Sequence, residues 1–158
     1  MIRLRDTVHI EAAPERIWNW LDGLPDHYCD WHPSHLDCRY VRGNHLTEGA
    51  TLHVHERLHG KPHSLTLRAD VVVPDRLLRY SGRGVLGAFI LEPAGNGTRF
   101  TAQLDVGAHL PLIGRLLDPV LRRLMAKRLS AVQEHMREEG RNLKNLLEGQ
   151  EYAAAHGH

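Results

Sequence analysis

The chain has 158 residues, 25% of them charged and 6% aromatic, which suits one globular domain and excludes a disordered, fibrous or comfortably two-domain protein. Its 20 basic and 19 acidic residues leave a net charge of +1, which gives no electrostatic reason to expect nucleic acid or an anionic membrane as partner. Two cysteines, Cys29 and Cys38, cannot build a disulfide scaffold, no stretch approaches the length of a membrane span, and no basic-plus-apolar leader precedes the first strand. The expectation is a cytoplasmic protein with reduced thiols, and nothing in the composition sets an oligomeric state.

Residues 3–11 alternate, with Leu4, Val8 and Ile10 as apolar members, and predict a first strand ending at Ala12-Ala13-Pro14. Residues 14–21 predict a short helix started by Pro14 that buries Ile17, Trp18 and Leu21. Pro25 and Pro33 bracket a connection able to hold a second short helix, and Tyr28, Cys29, Trp31, His32 and His35 crowd into or beside it. Strand-like runs follow at 36–41, 50–58, 64–73, 77–81, 85–91 and 98–106. The turns between them, such as Gly60-Lys61-Pro62, Pro74-Asp75 and Gly95-Asn96-Gly97, are short and no helical pattern intervenes, which predicts an antiparallel sheet with helices on one face.

From Leu110 the pattern turns helical, and Leu112, Ile113, Leu116 and Leu117 lead into Asp118-Pro119, where the proline predicts a kink or a separate short helix. Asp118 is the expected N-cap of a helix over 118–148. Leu121, Met125, Leu129, Val132, Met136, Leu143 and Leu146 form its apolar stripe. The domain is expected to span residues 1–150, with a frayed tail over 151–158.

Two carboxylates fall on apolar faces. Period two places Glu56 with Leu52, Val54 and Leu58, and His53, His55 and Arg57 on the other, wet face. Helical rotation places Glu139 between Met136 and Leu143, with His135 one turn earlier at the stripe edge. A carboxylate facing a core must be protonated, paired or metal-bound. Arg128, also in the stripe, is one partner available to Glu139. The H-x-x-x-E spacing points instead to a divalent ion, and mixed nitrogen and oxygen ligands suit zinc, with manganese or iron(II) as substitutes. A site on Cys29 and Cys38 would leave both glutamates unexplained.

The opening V-x-I-x-A-x-P-E-x-I-W, formed by Val8, Ile10, Ala12, Pro14, Glu15, Ile17 and Trp18, resembles the START-like, or SRPBCC, superfamily that includes polyketide cyclases and the birch-pollen allergen fold. The resemblance implies an α+β helix-grip domain: a curved antiparallel sheet wrapped around a long C-terminal helix, two short helices after strand 1, and a cavity for an apolar or aromatic small molecule. A narrower resemblance, to the zinc-dependent diacetylphloroglucinol hydrolases, implies metal ligands at His32 (in W-H-P-S-H), Glu56, His135 and Glu139, the last followed by Asn142-Leu143. This chain is much shorter than those enzymes. His35 competes with His32 and is otherwise the expected catalytic proton shuttle, while Tyr28, Trp31 and Tyr80 are expected substrate contacts that also suit a core. The implied activity is metal-dependent hydrolysis of a carbon–carbon bond in an aromatic or polyketide-like ketone. A START-type carrier and a cofactor-free cyclase are the alternatives.

Overall fold

In the computed structural model, which describes residues 2–106 and 119–156, the chain runs β1 (Ile2–Ile10), α1 (Pro14–Asp22), α2 (Leu24–Trp31), β2 (His35–Arg42), β3 (Thr51–Leu58), β4 (Lys61–Val73), β5 (Leu77–Gly82), β6 (Val85–Ala94), β7 (Gly97–Val106) and α3 (Pro119–His156). The strands form one antiparallel sheet in the order β1-β7-β6-β5-β4-β3-β2. Every pair except β1–β7 joins neighbours in sequence, as short hairpin turns require. Between β3 and β4 the turn is His59-Gly60 rather than Gly60-Lys61-Pro62, because Lys61 already pairs with Leu58. Both turn residues have positive φ, 51° and 75°, as a two-residue hairpin with the twist of its strands demands.

The two short helices cross from β1, one edge strand, to β2, the other. In α1 the predicted face of Ile17, Trp18 and Leu21 is buried, joined by Trp20, and α2 supplies Tyr28 and Trp31 to the same core. The long helix α3 lies against the inner face of the sheet and buries Met136, Leu143 and Leu147. At Gly140 it approaches β1 closely: a Cβ there would stand 2.8 Å from Asp6 Oδ2 and 3.6 Å from Val8 Cγ1. The glycine admits a strand, at the helix-propensity cost of about 1 kcal/mol against alanine.

The helix continues to His156, so residues 151–156, expected as tail, are helical. The Asp118 cap, the apolar run over 110–117, the kink before Pro119 and the last two residues of the expected tail lie outside the described residues. Among the described residues no helix is long and apolar enough to cross a membrane.

Candidate ligand cavity and metal-capable cluster

Between α3 and the inner face of the sheet lies a cavity of about 370 Å³, within the range of small-molecule sites. Its walls are inward members of β3 to β7, among them Leu52, Val54, Leu67, Leu78, Phe89 and Leu104, with Leu129, Val132 and Met136 from α3. Against this apolar lining the charged groups are few: Glu56, His135, Glu139 and Arg128. Three of the four meet at one place.

The sequence brings them together through register and helical rise. His35 opens β2 and is the cross-strand partner of Glu56 on β3. His135 and Glu139 are one turn apart on α3 and face that pair. His35 Nε2 lies 2.9 Å from Glu139 Oε1 and 4.0 Å from Glu56 Oε2. His135 Nε2 lies 3.2 Å from Glu139 Oε1 and 3.9 Å from Glu56 Oε2. Both predicted inward carboxylates therefore do face inward, each with its side chain less than one-fifth exposed.

Hydrogen-bond partners distinguish the two histidines. His35 is wholly buried, stacked on Tyr28 with ring centres 3.9 Å apart, and its Nδ1 lies 2.9 Å from the Tyr28 carbonyl oxygen. A carbonyl only accepts, so Nδ1 carries hydrogen and Nε2 is the atom that faces the Glu139 carboxylate: with a second hydrogen it donates to Oε1, and without one it turns a lone pair toward a cation shared with that carboxylate. His32 is the opposite case. Its Nδ1 accepts the backbone N–H of Ser34 at 3.0 Å, so Nε2 carries the hydrogen and donates it to Glu138 Oε2 at 2.6 Å. Although the ligand nitrogens of His32, His35 and His135 lie within 4.8 Å of one another, both nitrogens of His32 are engaged elsewhere. It is His35, not His32, that faces Glu56 and Glu139.

Lone pairs facing carboxylates must be reconciled by a proton or a cation. Burial opposes the ionisation of Glu139, but the close histidines outweigh it and hold its pKa at about 2. Burial likewise works against the His135 imidazolium, and the carboxylate of Glu139, with Glu56 and Glu138 beyond it, more than compensates and raises its pKa. The pairing is imperfect even so, since His135 Nε2 is shielded from solvent and makes no hydrogen bond of good angle despite its 3.2 Å approach to Glu139. A divalent ion fits these donors on their own terms. Separations of 2.9 to 4.0 Å bracket the roughly 3.4 Å edge of a tetrahedron with bonds of about 2.1 Å. The Nδ1–H of His35 on a backbone carbonyl is also the outer hydrogen bond that ligand histidines ordinarily make.

The aromatic residues divide by role. Tyr28 donates its hydroxyl to Glu56 Oε2 at 3.4 Å, and burial, followed by the charges of Glu56 and Glu139, raises its pKa so that it stays a phenol. Tyr80 also lines the cavity and is kept protonated by burial and the same two carboxylates. Its ring lies over Gly87 on the neighbouring strand, where even a methyl group would overlap it. Trp31 touches the cavity but serves as a tie: its Nε1–H donates to the Glu139 carbonyl at 2.9 Å, and Asn142 Nδ2 donates to the Trp31 carbonyl at 2.8 Å. Those two bonds fix the turn of α3 that carries Glu139.

Glu138, as the partner of His32, was invisible to sequence reasoning because it lies off the apolar stripe. Arg128 reaches the cavity, but it is the histidines that meet Glu139. Cys29 is exposed and gives its thiol hydrogen to the Leu36 carbonyl, burial, with Asp37 and Cys29 nearby, pushes the Cys38 thiol up to about 12, and neither belongs to the metal-capable group of histidines.

No curated protein matches the chain in sequence. Among solved structures, an aromatase/cyclase from Streptomyces sp. R1128 superposes with a TM-score of 0.75 at 18% identity, over 97% of each chain. A START superfamily protein from Mycobacterium smegmatis gives 0.64 at 18%, over 94% of this chain and 98% of the other. A protein of Thermus thermophilus gives 0.66 at 17%, over 90% and 97%. At such identities these likenesses speak for the helix-grip fold alone. The sequence pattern of one family, described as polyketide cyclase/dehydrase and lipid transport, matches residues 1–148, and to that family the chain belongs.

Proposed function

We propose that the protein binds an aromatic or polyketide-like ketone in its apolar cavity and acts on the carbonyl with a divalent metal, zinc first among candidates, held by His35, Glu56, His135 and Glu139. The observation that carries this reading is the convergence of two imidazole nitrogens and two carboxylates on one point, with His35 Nδ1 on a backbone carbonyl so that Nε2 is the nitrogen left to face it. An ion there would supply Lewis-acid polarisation of a carbonyl and a water of lowered pKa.

The chain's own residues supply the rest. The apolar walls orient the ligand and exclude bulk water. Tyr80, held as a phenol, can donate a hydrogen bond to an oxygen that gains charge during reaction, while Tyr28 gives its hydroxyl hydrogen to Glu56. His35, expected as the proton shuttle, is a ligand in this reading, since its Nδ1–H is committed to the backbone. The reaction class is carbon–carbon hydrolysis of the retro-Claisen type. Water oxygen ends on the acyl carbon, the bond to the neighbouring carbon breaks, and that carbon takes up the proton.

Elemental analysis of protein purified without a histidine tag tests this. About one zinc, manganese or iron per chain is expected in the wild type and none in Glu56→Ala or Glu139→Ala. Retained metal in Glu139→Ala would sink the assignment. A second reading, a cofactor-free cyclase or dehydratase, is favoured by the family and by the His135–Glu139 pair, whose shifted pKa values suit an acid and a base. It predicts full activity after chelation.

A further inference from the structure

We infer that the ligand is an amphipathic organic anion, with its apolar body in the cavity and its anionic group at Arg128. This rests on the cavity being the ligand site, as proposed above. Arg128 precedes His135 by seven residues and Glu139 by eleven, which places it on nearly the same face of α3, about 11 and 17 Å away along the axis. It lines the cavity yet is exposed, so it stands where the cavity meets solvent, while the His/Glu cluster is at the other, buried extreme.

Its guanidinium has no carboxylate partner among the described residues, unlike Arg3 or Arg68, and of the described arginines without one, such as Arg5, Arg39 and Arg79, it is Arg128 that lines this cavity. An arginine left unpaired beside an apolar chamber presents a fork of donors suited to a carboxylate, sulfonate or phosphate. The distance fits an extended polycyclic ligand, or an acyl chain of comparable length, that reaches from the rim to the cluster.

The test is a fluorescence titration of the full chain with 8-anilinonaphthalene-1-sulfonate and with N-phenyl-1-naphthylamine, which share one aromatic body and differ by the sulfonate. The wild type should bind the anionic probe more tightly. Arg128→Gln should weaken that probe about 5- to 10-fold and leave the neutral one within about twofold, and Arg128→Lys should keep most of the preference. Added salt should weaken the anionic probe alone. Equal loss for both probes, an anionic preference that survives in Arg128→Gln, or failure of both probes to bind would overturn the inference. Metal content reports separately on the cluster, because Arg128→Gln should leave it unchanged.

Discussion

The end of the cavity at β2, β3 and α3 and the wall at β5 and β6 are held in place by different physics. At the first, His35, Glu56, His135 and Glu139 face one another in near-complete burial, and their positions are set by hydrogen bonds that run outward to backbone, such as His35 to Tyr28 and Trp31 to Glu139. At the second, Tyr80 is set by shape, because Gly87 leaves the hollow in which its ring lies. Polar sites are costly to assemble and tolerant of nothing unpaired, whereas the apolar wall fails only through volume. The proposed chemistry therefore lies where polar groups are costly to bury, and the shape of the cavity is set where they are not.

The sharpest way to break this contrast is to remove one member of the cluster. His35→Ala should abolish metal retention outright, while Tyr80→Phe should leave metal content unchanged, both read by elemental analysis after dialysis. Equal metal in the two variants would show that the cluster is not the site. Smaller, and readable without metal, is the pH dependence of stability. Glu139, held at about 2, contributes stability that is complete above its ordinary 4.5 and is lost as pH falls from there toward 2. His135, raised above 6.5, contributes stability that is complete below that value and is lost as pH rises through its folded pKa. Metal-free protein should thus be most stable between about pH 5 and 6.5, with an acid limb on the order of 3 kcal/mol at most. Urea denaturation should find that limb flattened in Glu139→Gln and the alkaline limb flattened in His135→Gln.

At the wall, Gly87→Ala should cost about 1 to 3 kcal/mol through overlap with Tyr80, and Gly87→Ala combined with Tyr80→Leu should recover much of that, as overpacking relieved by its partner does. Metal content should not change in either. A loss that persists in the double variant would mean that the glycine is needed for its backbone rather than for the hollow.

How much of this was legible beforehand follows the same division. Periodicity alone turned Glu56 and Glu139 inward, because alternation and helical rotation are local properties of the chain. It could not tell His32 from His35, since what separates them is which nitrogen meets Ser34, Tyr28 or Glu138, contacts between segments up to about a hundred residues apart. The Tyr80–Gly87 fit was equally hidden, for a glycine in a strand says that something comes close but not what. The hairpin shift to His59-Gly60 shows the limit of turn vocabulary: Lys61-Pro62 reads as punctuation, yet register places both in β4.

His32 offers the smallest and most discriminating effect. It lies beside His135 with ring centres 4.2 Å apart, and it also lines a second, polar pocket of about 250 Å³ together with Glu138 and Arg57. With His35 as the ligand, His32 buttresses the site without binding the ion, so His32→Gln should lower metal affinity by about tenfold or less, the lower range for an outer partner. Competition with a chromophoric chelator measures this directly. A loss as complete as that of His35→Ala would return His32 to the ligand set and would require its bond to Glu138 to open on metal binding.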